Sequence, residues 1–269
     1  MPARPPHPPA RGRSHDHRSR SRRLLAADGT PVWAEHLPAH SDGGQTDLAV
    51  VVVHGFTQHS ASPRVRRIGE WLRGSAGVVL VDLRGHGRSG GHSTLGWLEV
   101  LDVQAAVDWA HALGYRRVVT IGFSLGAAVV VRHAALHRDV AAVVAVSVPG
   151  QWYYRGSANM RLLHRLVLTA PGRTLLRVAR GTRVSPDEWR SPLPIDPPAA
   201  AAEIDVALLV VHGDRDDYFP PDHAWRVHAA APRSTLWLEP GFGHAEAGVT
   251  APLAQRISGW IAEEASWPR

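Results

Sequence analysis

The chain has 269 residues, 44% of them hydrophobic, which is enough for one large α/β core or two small domains. It contains no cysteine, which excludes disulfides, thiolate chemistry and cysteine-ligated zinc. Its formal charge of +6 is local, because residues 1–23 hold seven arginines against Asp16 and the rest of the chain is balanced.

Residues 1–22 are rich in Pro, Arg, His and Ser, lack apolar periodicity, and read as a disordered basic tail. All 30 basic residues are arginine, as GC-rich coding produces, so the arginines alone do not signal phosphate recognition. The tail has no aromatic stacking surface or recognition motif beside it, and no nucleic-acid partner is expected. Ser21-Arg22-Arg23-Leu24-Leu25 has the arginine pair of an export leader. Asp28, Gly29 and Pro31 follow where such a leader needs an apolar stretch, so it is rejected. No run of about 18 apolar residues occurs, no spanning helix is expected, and the chain is read as cytoplasmic.

Between about residues 23 and 40, two strand-like pieces flank Asp28-Gly29, a good hairpin turn. Continuous aliphatic runs follow at residues 48–53, 78–81, 118–121, 141–148, 206–211 and 235–238. Runs without alternation suit strands buried on both faces. Helical patterns lie at residues 97–113, 124–137, 222–231 and 252–265. The expected fold class is α/β: a doubly wound, mostly parallel sheet of about eight strands, with helices on both faces and an antiparallel edge.

Residues 150–202 interrupt this alternation. Two short amphipathic helices are expected at 161–170 and 173–180, separated by Pro171-Gly172 and followed by a proline-rich stretch. Such an insertion inside a compact domain reads as a helical cap or lid. The chain then divides into a tail (1–22), a first core part (23–149), the lid (150–202) and a second core part (203–269).

The segment Val118-Val119-Thr120-Ile121-Gly122-Phe123-Ser124-Leu125-Gly126-Ala127-Ala128 joins an apolar run, G-x-S-x-G and a run of small helix-compatible residues. That is the context of a nucleophile elbow, in which Ser124 sits at the tip of a strained strand-to-helix turn. Gly122 and Gly126 fit because a Cβ would collide in so tight a turn. A serine hydroxyl needs a base within hydrogen-bond reach, and the base needs an orienting acid. In this chain order both must come after Ser124. Asp214, Asp216 and Asp217 follow the run at 206–211, where sites of open α/β folds gather; two of the three are expected to be turn or cap residues. His244, bracketed by glycine after the next run, is the expected base among 17 histidines. The oxyanion needs two backbone donors, expected at the N–H of Leu125 and of Phe56, the latter aimed by the turn at Gly55. His54 is expected to be structural rather than a second base.

Four motifs in order resemble the α/β-hydrolase superfamily with an inserted cap. His54-Gly55-Phe56 resembles its oxyanion loop, and Gly122-Phe123-Ser124-Leu125-Gly126 matches its elbow. Asp82-Leu83-Arg84-Gly85-His86-Gly87-Arg88-Ser89 resembles its D-x-R-G-x-G-x-S turn. Gly213-x-x-Asp216 with Pro220, then Gly243-His244, match its acid and base segments, and this spacing picks Asp216 over its neighbours. The resemblance covers about residues 23–265 apart from the lid. It implies a serine hydrolase with Ser124, Asp216 and His244 as triad, no cofactor and no metal.

Serine at the elbow argues against the dehalogenase and epoxide hydrolase branches. The expected activity is hydrolysis of a carboxylic ester of a hydrophobic or amphiphilic small molecule, with Trp152 and Tyr153 as candidate substrate contacts. Thioesterase, amidase or peptidase, and acyltransferase chemistry on the same residues stay open, as does a non-catalytic hydrolase-like binding protein. The lid carries eight arginines against Asp187, Glu188 and Asp196, a net +5, with apolar neighbours. Contact with an anionic lipid surface is conceivable on that pattern. The plainer reading, arginines decorating exposed helix faces, is preferred at this level.

Overall fold

In the computed structural model, residues 19–40, 46–187, 189 and 193–266 are described. The strands are β1 (Arg20–Leu25), β2 (Pro31–Leu37), β3 (Leu48–Val53), β4 (Gly77–Asp82), β5 (Arg117–Phe123), β6 (Ala142–Val146), β7 (Ala207–Gly213) and β8 (Ser234–Glu239). They form one sheet in the order β1-β2-β4-β3-β5-β6-β7-β8. The pairs β1/β2 and β2/β4 are antiparallel and every other pair is parallel. The expected hairpin edge is therefore present. It begins at Arg20, so residues 20–22 belong to a strand rather than to the tail, and the tail before residue 19 lies outside the described residues.

The helices are α1 (Pro63–Leu72), α2 (Glu99–Ala112), α3 (Leu125–His137), α4 (Ala158–Leu168), α5 (Ala170–Arg180), α6 (Pro197–Ala202), α7 (Asp222–Ala230) and α8 (Ala251–Ser266). Alternation along each strand sends side chains to opposite faces. Leu48, Val50 and Val52 pack with Val65, Ile68 and Leu72 of α1 and with Leu253, Ile257 and Ile261 of α8. Ala49, Val51 and Val53 pack with Val103 and Val107 of α2, Val130 and Ala134 of α3, Ala201 of α6 and Val227 of α7. Apart from Arg117 at the start of β5, the central strands are buried along their whole length, which explains their unbroken aliphatic sequence.

Residues 150–202 differ from expectation in two respects. The break between the first two helices falls at Thr169, whose hydroxyl accepts the Gly172 N–H and caps α5; Pro171 lies within the first turn of α5, where its missing N–H costs nothing. The proline-rich stretch contains α6, which starts with Pro197 in the first turn and packs on α3 and α7 as part of the core. Only α4 and α5 stand apart, with Val167 and Leu176 in a small apolar cluster together with Val184.

β3 lies in the middle of the sheet, with β4 on one side and β5 on the other. The chain thus changes direction of winding at β3/β5. In open α/β sheets the crevice outside the carboxyl ends of the strands at such a point is where ligands bind. The Gly55-Phe56 loop leaves β3 and Ser124 leaves β5 at that end.

Candidate active site

Ser124 has φ 50° and ψ −112°, a conformation that L side chains rarely adopt. Close packing enforces it. A Cβ on Gly122 would lie 2.2 Å from the Gly126 oxygen, and one on Gly126 would lie 2.3 Å from the Val53 oxygen. The Ser124 N–H donates to Val146 O at 2.9 Å, which ties the elbow to β6. The turn therefore lifts a half-buried hydroxyl above the carboxyl end of the sheet.

The loops after β7 and β8 bring the other two residues to it. His244 Nε2 is 2.9 Å from Ser124 Oγ, and its Nδ1 lies 2.8 Å from Asp216 Oδ2 and 2.9 Å from Oδ1. The Asp216 side chain is fully buried. Burial alone raises its carboxyl, but the hydrogen bond from His244 and those from the Phe219 and Tyr218 N–H groups outweigh this and hold it below its ordinary range. The carboxylate therefore accepts from Nδ1–H, which leaves Nε2 as the acceptor facing the serine. Tyr218 stacks on the His244 ring at 4.2 Å. The neighbouring aspartates do other work: Asp214 accepts the Gly241 N–H at 2.7 Å, and Asp217 accepts from Asn159 of α4 at 2.7 Å.

Phe56 and Leu125 line the same cavity as Ser124. Neither N–H donates to another described group, so two amide donors beside the serine are without a protein partner. Two unpaired amides lining one cavity are available to an external acceptor.

His54 lies beneath this loop, fully buried, with Nδ1 2.8 Å from Gly55 O and Nε2 3.1 Å from the Leu83 nitrogen. Burial holds its pKa down to about 4, so it is a neutral brace with Nδ1–H donating and Nε2 accepting. Both ring nitrogens are thus engaged by the backbone of Gly55 and Leu83 rather than by Ser124, in keeping with a structural role. The Asp82–Ser89 turn is another brace. Asp82 accepts the Ser60 and Arg88 N–H groups at 2.5 and 2.8 Å, and Arg84, 3% exposed, forks onto Asp102.

Two side chains that the sequence reading did not single out hold the loops. Glu246, buried two residues after His244, accepts the Gly55 N–H at 2.6 Å. Burial pushes its carboxyl up, while that amide pulls it back. His212 at the end of β7 donates through Nε2–H to Phe219 O at 2.9 Å and pins the loop carrying Asp216. The only sequence signal for Glu246 is its nearness to the base; its partner lies 191 positions away. Ser147 adds a further tie by accepting the Ala245 N–H at 3.0 Å.

Above the site lies a cavity of about 1000 Å³. Its walls include Phe56, Met160, Leu163, Val167, Leu176 and Tyr218, so its upper part comes from α4 and α5. Trp152 and Tyr153 both line it. Trp152 is fixed by its Nε1–H to Ile195 O at 2.8 Å, whereas Tyr153 is 59% exposed at the mouth. Among the described residues no cluster of side chains suited to hold a metal ion occurs, and no helix is long and apolar enough to cross a membrane.

The model of the alpha/beta hydrolase fold family matches residues 49–167. A comparison with curated proteins returned no match. Among solved structures, an esterase from Pyrococcus furiosus superposes with a TM-score of 0.71 at 20% identity, over 97% of this chain and 99% of that one. An esterase from Butyrivibrio proteoclasticus with ferulic acid bound gives 0.66 at 20% identity, over 91% and 99% of the two chains. A thermophilic esterase from Thermogutta terrifontis gives 0.68 at 19% identity, over 92% and 100%.

Proposed function

Because the chain has the α/β-hydrolase fold, with its sequence matching that family from β3 to α4, we propose that it is a carboxylic ester hydrolase working through an acyl-enzyme on Ser124. The observation that carries this reading is the unbroken chain Asp216–His244–Ser124 at 2.8 and 2.9 Å, beside two unpaired amides at the floor of an apolar cavity.

The steps follow from the donors and acceptors. His244 Nε2 takes the Ser124 proton as Oγ adds to the ester carbonyl carbon, and Asp216 stabilises the imidazolium through Nδ1. The carbonyl oxygen, now an anion, is received by the Phe56 and Leu125 N–H groups. The tetrahedral adduct collapses with loss of the alkoxide, which leaves as the alcohol with the proton from Nε2. Water then adds to the acyl-enzyme with His244 again as base. Collapse of the second adduct returns the proton to Ser124 Oγ and frees the carboxylic acid. Buried Asp216 stays ionised throughout, because its pKa is held low.

The size and apolar walls of the cavity favour an ester with a substantial hydrophobic acyl or alcohol group, with Trp152 and Tyr153 among its contacts. The test is a series of p-nitrophenyl esters of increasing acyl length, with Ser124→Ala and His244→Ala as controls. Turnover that rises beyond acetate and is abolished in both variants is expected. A flat profile near the uncatalysed rate would contradict the ester reading.

A further inference from the structure

The loop that carries the acid also lays aromatic rings against the base. Tyr218 lies over the His244 imidazole with ring centroids 4.2 Å apart and planes 26° apart, a stacked arrangement. Phe219 meets the same imidazole at 5.6 Å and 57°. Backbone ties fix this segment: the Tyr218 and Phe219 N–H groups donate to Asp216 Oδ1 at 2.9 and 3.0 Å, and Phe219 O accepts from His212 at 2.9 Å. Residues 216–219 thus supply the acid, two of its donors and a ring over the base. Phe219 is buried and also meets Tyr154 and His223, so packing accounts for it. Packing does not account for Tyr218. Its side chain is half-buried, lines the cavity and lies outside the apolar clusters of the core. Its hydroxyl makes no hydrogen bond with another described residue, and His244 is its one ring partner among them. The ties to Asp216 use only the backbone, so any residue with an N–H could make them. What the tyrosine side chain adds is its face on the imidazole.

That face matters when the imidazole is charged. As Ser124 Oγ gives up its proton to Nε2, His244 becomes a cation. An aromatic face carries the negative part of the ring's quadrupole and attracts a cation within about 6 Å of its centroid. A neutral imidazole gains far less from the same field. The stack therefore favours the protonated ring over the neutral one, and an interaction that is stronger in the transition state raises kcat rather than tightening binding. Burial and the neighbouring Asp217 and Asp216 push the Tyr218 phenol up, so the ring over His244 is the neutral phenol and not a phenolate. Asp216 meets the imidazolium at its edge through Nδ1, and Tyr218 meets it at its face, so the two act on the same charge without competing for an atom. Both Tyr218 and His244 line the cavity, so a bound ester covers them and removes the water that would screen the attraction.

We propose that Tyr218 is a positioning residue for the base, whose aromatic face stabilises the His244 imidazolium formed each time Ser124 Oγ or water gives up a proton. This rests on the reading of Ser124, His244 and Asp216 as a hydrolytic triad. One arm of its test, labelling of Ser124 by a fluorophosphonate, needs no ester: Oγ bonds to phosphorus, fluoride leaves, and the Oγ proton passes to His244. The full chain is compared with Tyr218→Phe, Tyr218→Leu and Tyr218→pentafluorophenylalanine, the last introduced by stop-codon suppression. The pentafluoro ring keeps the flat shape of phenylalanine but its face is no longer negative. Each protein is measured for labelling rate, for kcat and KM on p-nitrophenyl butyrate, and for thermal melting. Tyr218→Phe keeps the face and is expected to stay within about two-fold of the parent. Tyr218→Leu and Tyr218→pentafluorophenylalanine are each expected to lose about 5- to 30-fold in labelling rate and in kcat. KM of the pentafluoro variant should stay within about three-fold of that of Tyr218→Phe.

A pentafluoro variant that reacts at the rate of Tyr218→Phe overturns the proposal, because the ring would then serve by shape alone. Tyr218→Leu at the parent rate overturns it as well. Tyr218→Phe as slow as Tyr218→Leu would assign the effect to the hydroxyl and overturn it too. If Tyr218→Leu melts early or fails to fold, the two ring variants decide the matter by themselves. A parent that is labelled at Ser124 but leaves p-nitrophenyl esters intact would count against the ester reading, and the labelling rates would still decide the role of Tyr218.

Discussion

Removing the Glu246 carboxylate tests whether the Gly55-Phe56 loop is held by the loop that carries His244. Its Oε1 accepts the Gly55 N–H at 2.6 Å in a buried setting, and Gly55 immediately precedes the Phe56 amide proposed as a donor. In Glu246→Ala that N–H loses its partner, at a cost of about 1–3 kcal/mol. The peptide that carries the Phe56 N–H is then free to turn. Complete loss of an oxyanion donor costs about 10²–10³-fold in kcat, so a loosened donor is expected to cost about 10- to 100-fold. The apolar walls supplied by α4 and α5 are untouched, so KM should move by no more than about three-fold. Glu246→Gln keeps an acceptor oxygen in reach of Gly55 and should retain kcat within about five-fold. Steady-state kinetics on p-nitrophenyl butyrate, beside thermal melting of each variant, separates the effects. A Glu246→Ala protein with a lowered Tm but the parent kcat would refute the argument, because the carboxylate would then be stabilising only. Glu246→Gln as slow as Glu246→Ala would refute the role of the hydrogen bond.

Other outcomes follow from the same contacts. Gly126→Ala places a Cβ about where the Val53 oxygen allows only 2.3 Å, so the elbow must open; loss of soluble expression or of at least 10²-fold in kcat is expected in a rate and melting assay. Arg84→Met strands the fully buried Asp102 carboxylate; chemical denaturation should show a loss of about 3–5 kcal/mol, and a variant of parent stability would contradict the buried pair. His54 and His86 are buried with pKa values lowered to about 4 and about 3, below the ordinary 6.5. The unfolded chain therefore binds more protons than the folded one as pH falls below about 6.5, so stability is full above that value and declines towards pH 4. Denaturation between pH 7 and 5 should show a slope that steepens towards about 1.4 kcal/mol per pH unit for each imidazole near pH 5; a flat profile would contradict their burial as neutral rings.

Most of the architecture could be read from the chain because the buried strands are continuous aliphatic runs and the elbow glycines have no substitute. α1 was less legible. Its buried face is Val65, Ile68, Gly69 and Leu72, set among Arg64, Arg66 and Arg67, so its apolar signal is sparse even though its spacing is helical. α6 was hidden by Pro197 and Pro198, which look like loop residues until one sees that the first turn of a helix has no use for their missing N–H groups. The hairpin edge extends to Arg20 because β1 pairs with β2 over six residues, and pairing across a sheet is invisible in a basic, polar segment. At the site, residues on sharp turns after strands announce themselves by glycine and position. Glu246 and His212 do not, because their roles are set by partners brought near only by folding. The outward Leu175 and Val178 of α5 belong to the same class. The sequence shows their number and the arginines beside them, but only the placement of the helix shows which of them the cavity leaves uncovered.

The central claim is that Ser124 is a nucleophile activated by His244 and Asp216. Incubation with a fluorophosphonate probe, followed by mass mapping of the labelled peptide, tests it without any assumption about the substrate. The account predicts a single adduct on Ser124, lost in Ser124→Ala and strongly slowed in His244→Ala. No adduct on the folded parent protein, or labelling that survives in Ser124→Ala, would contradict it.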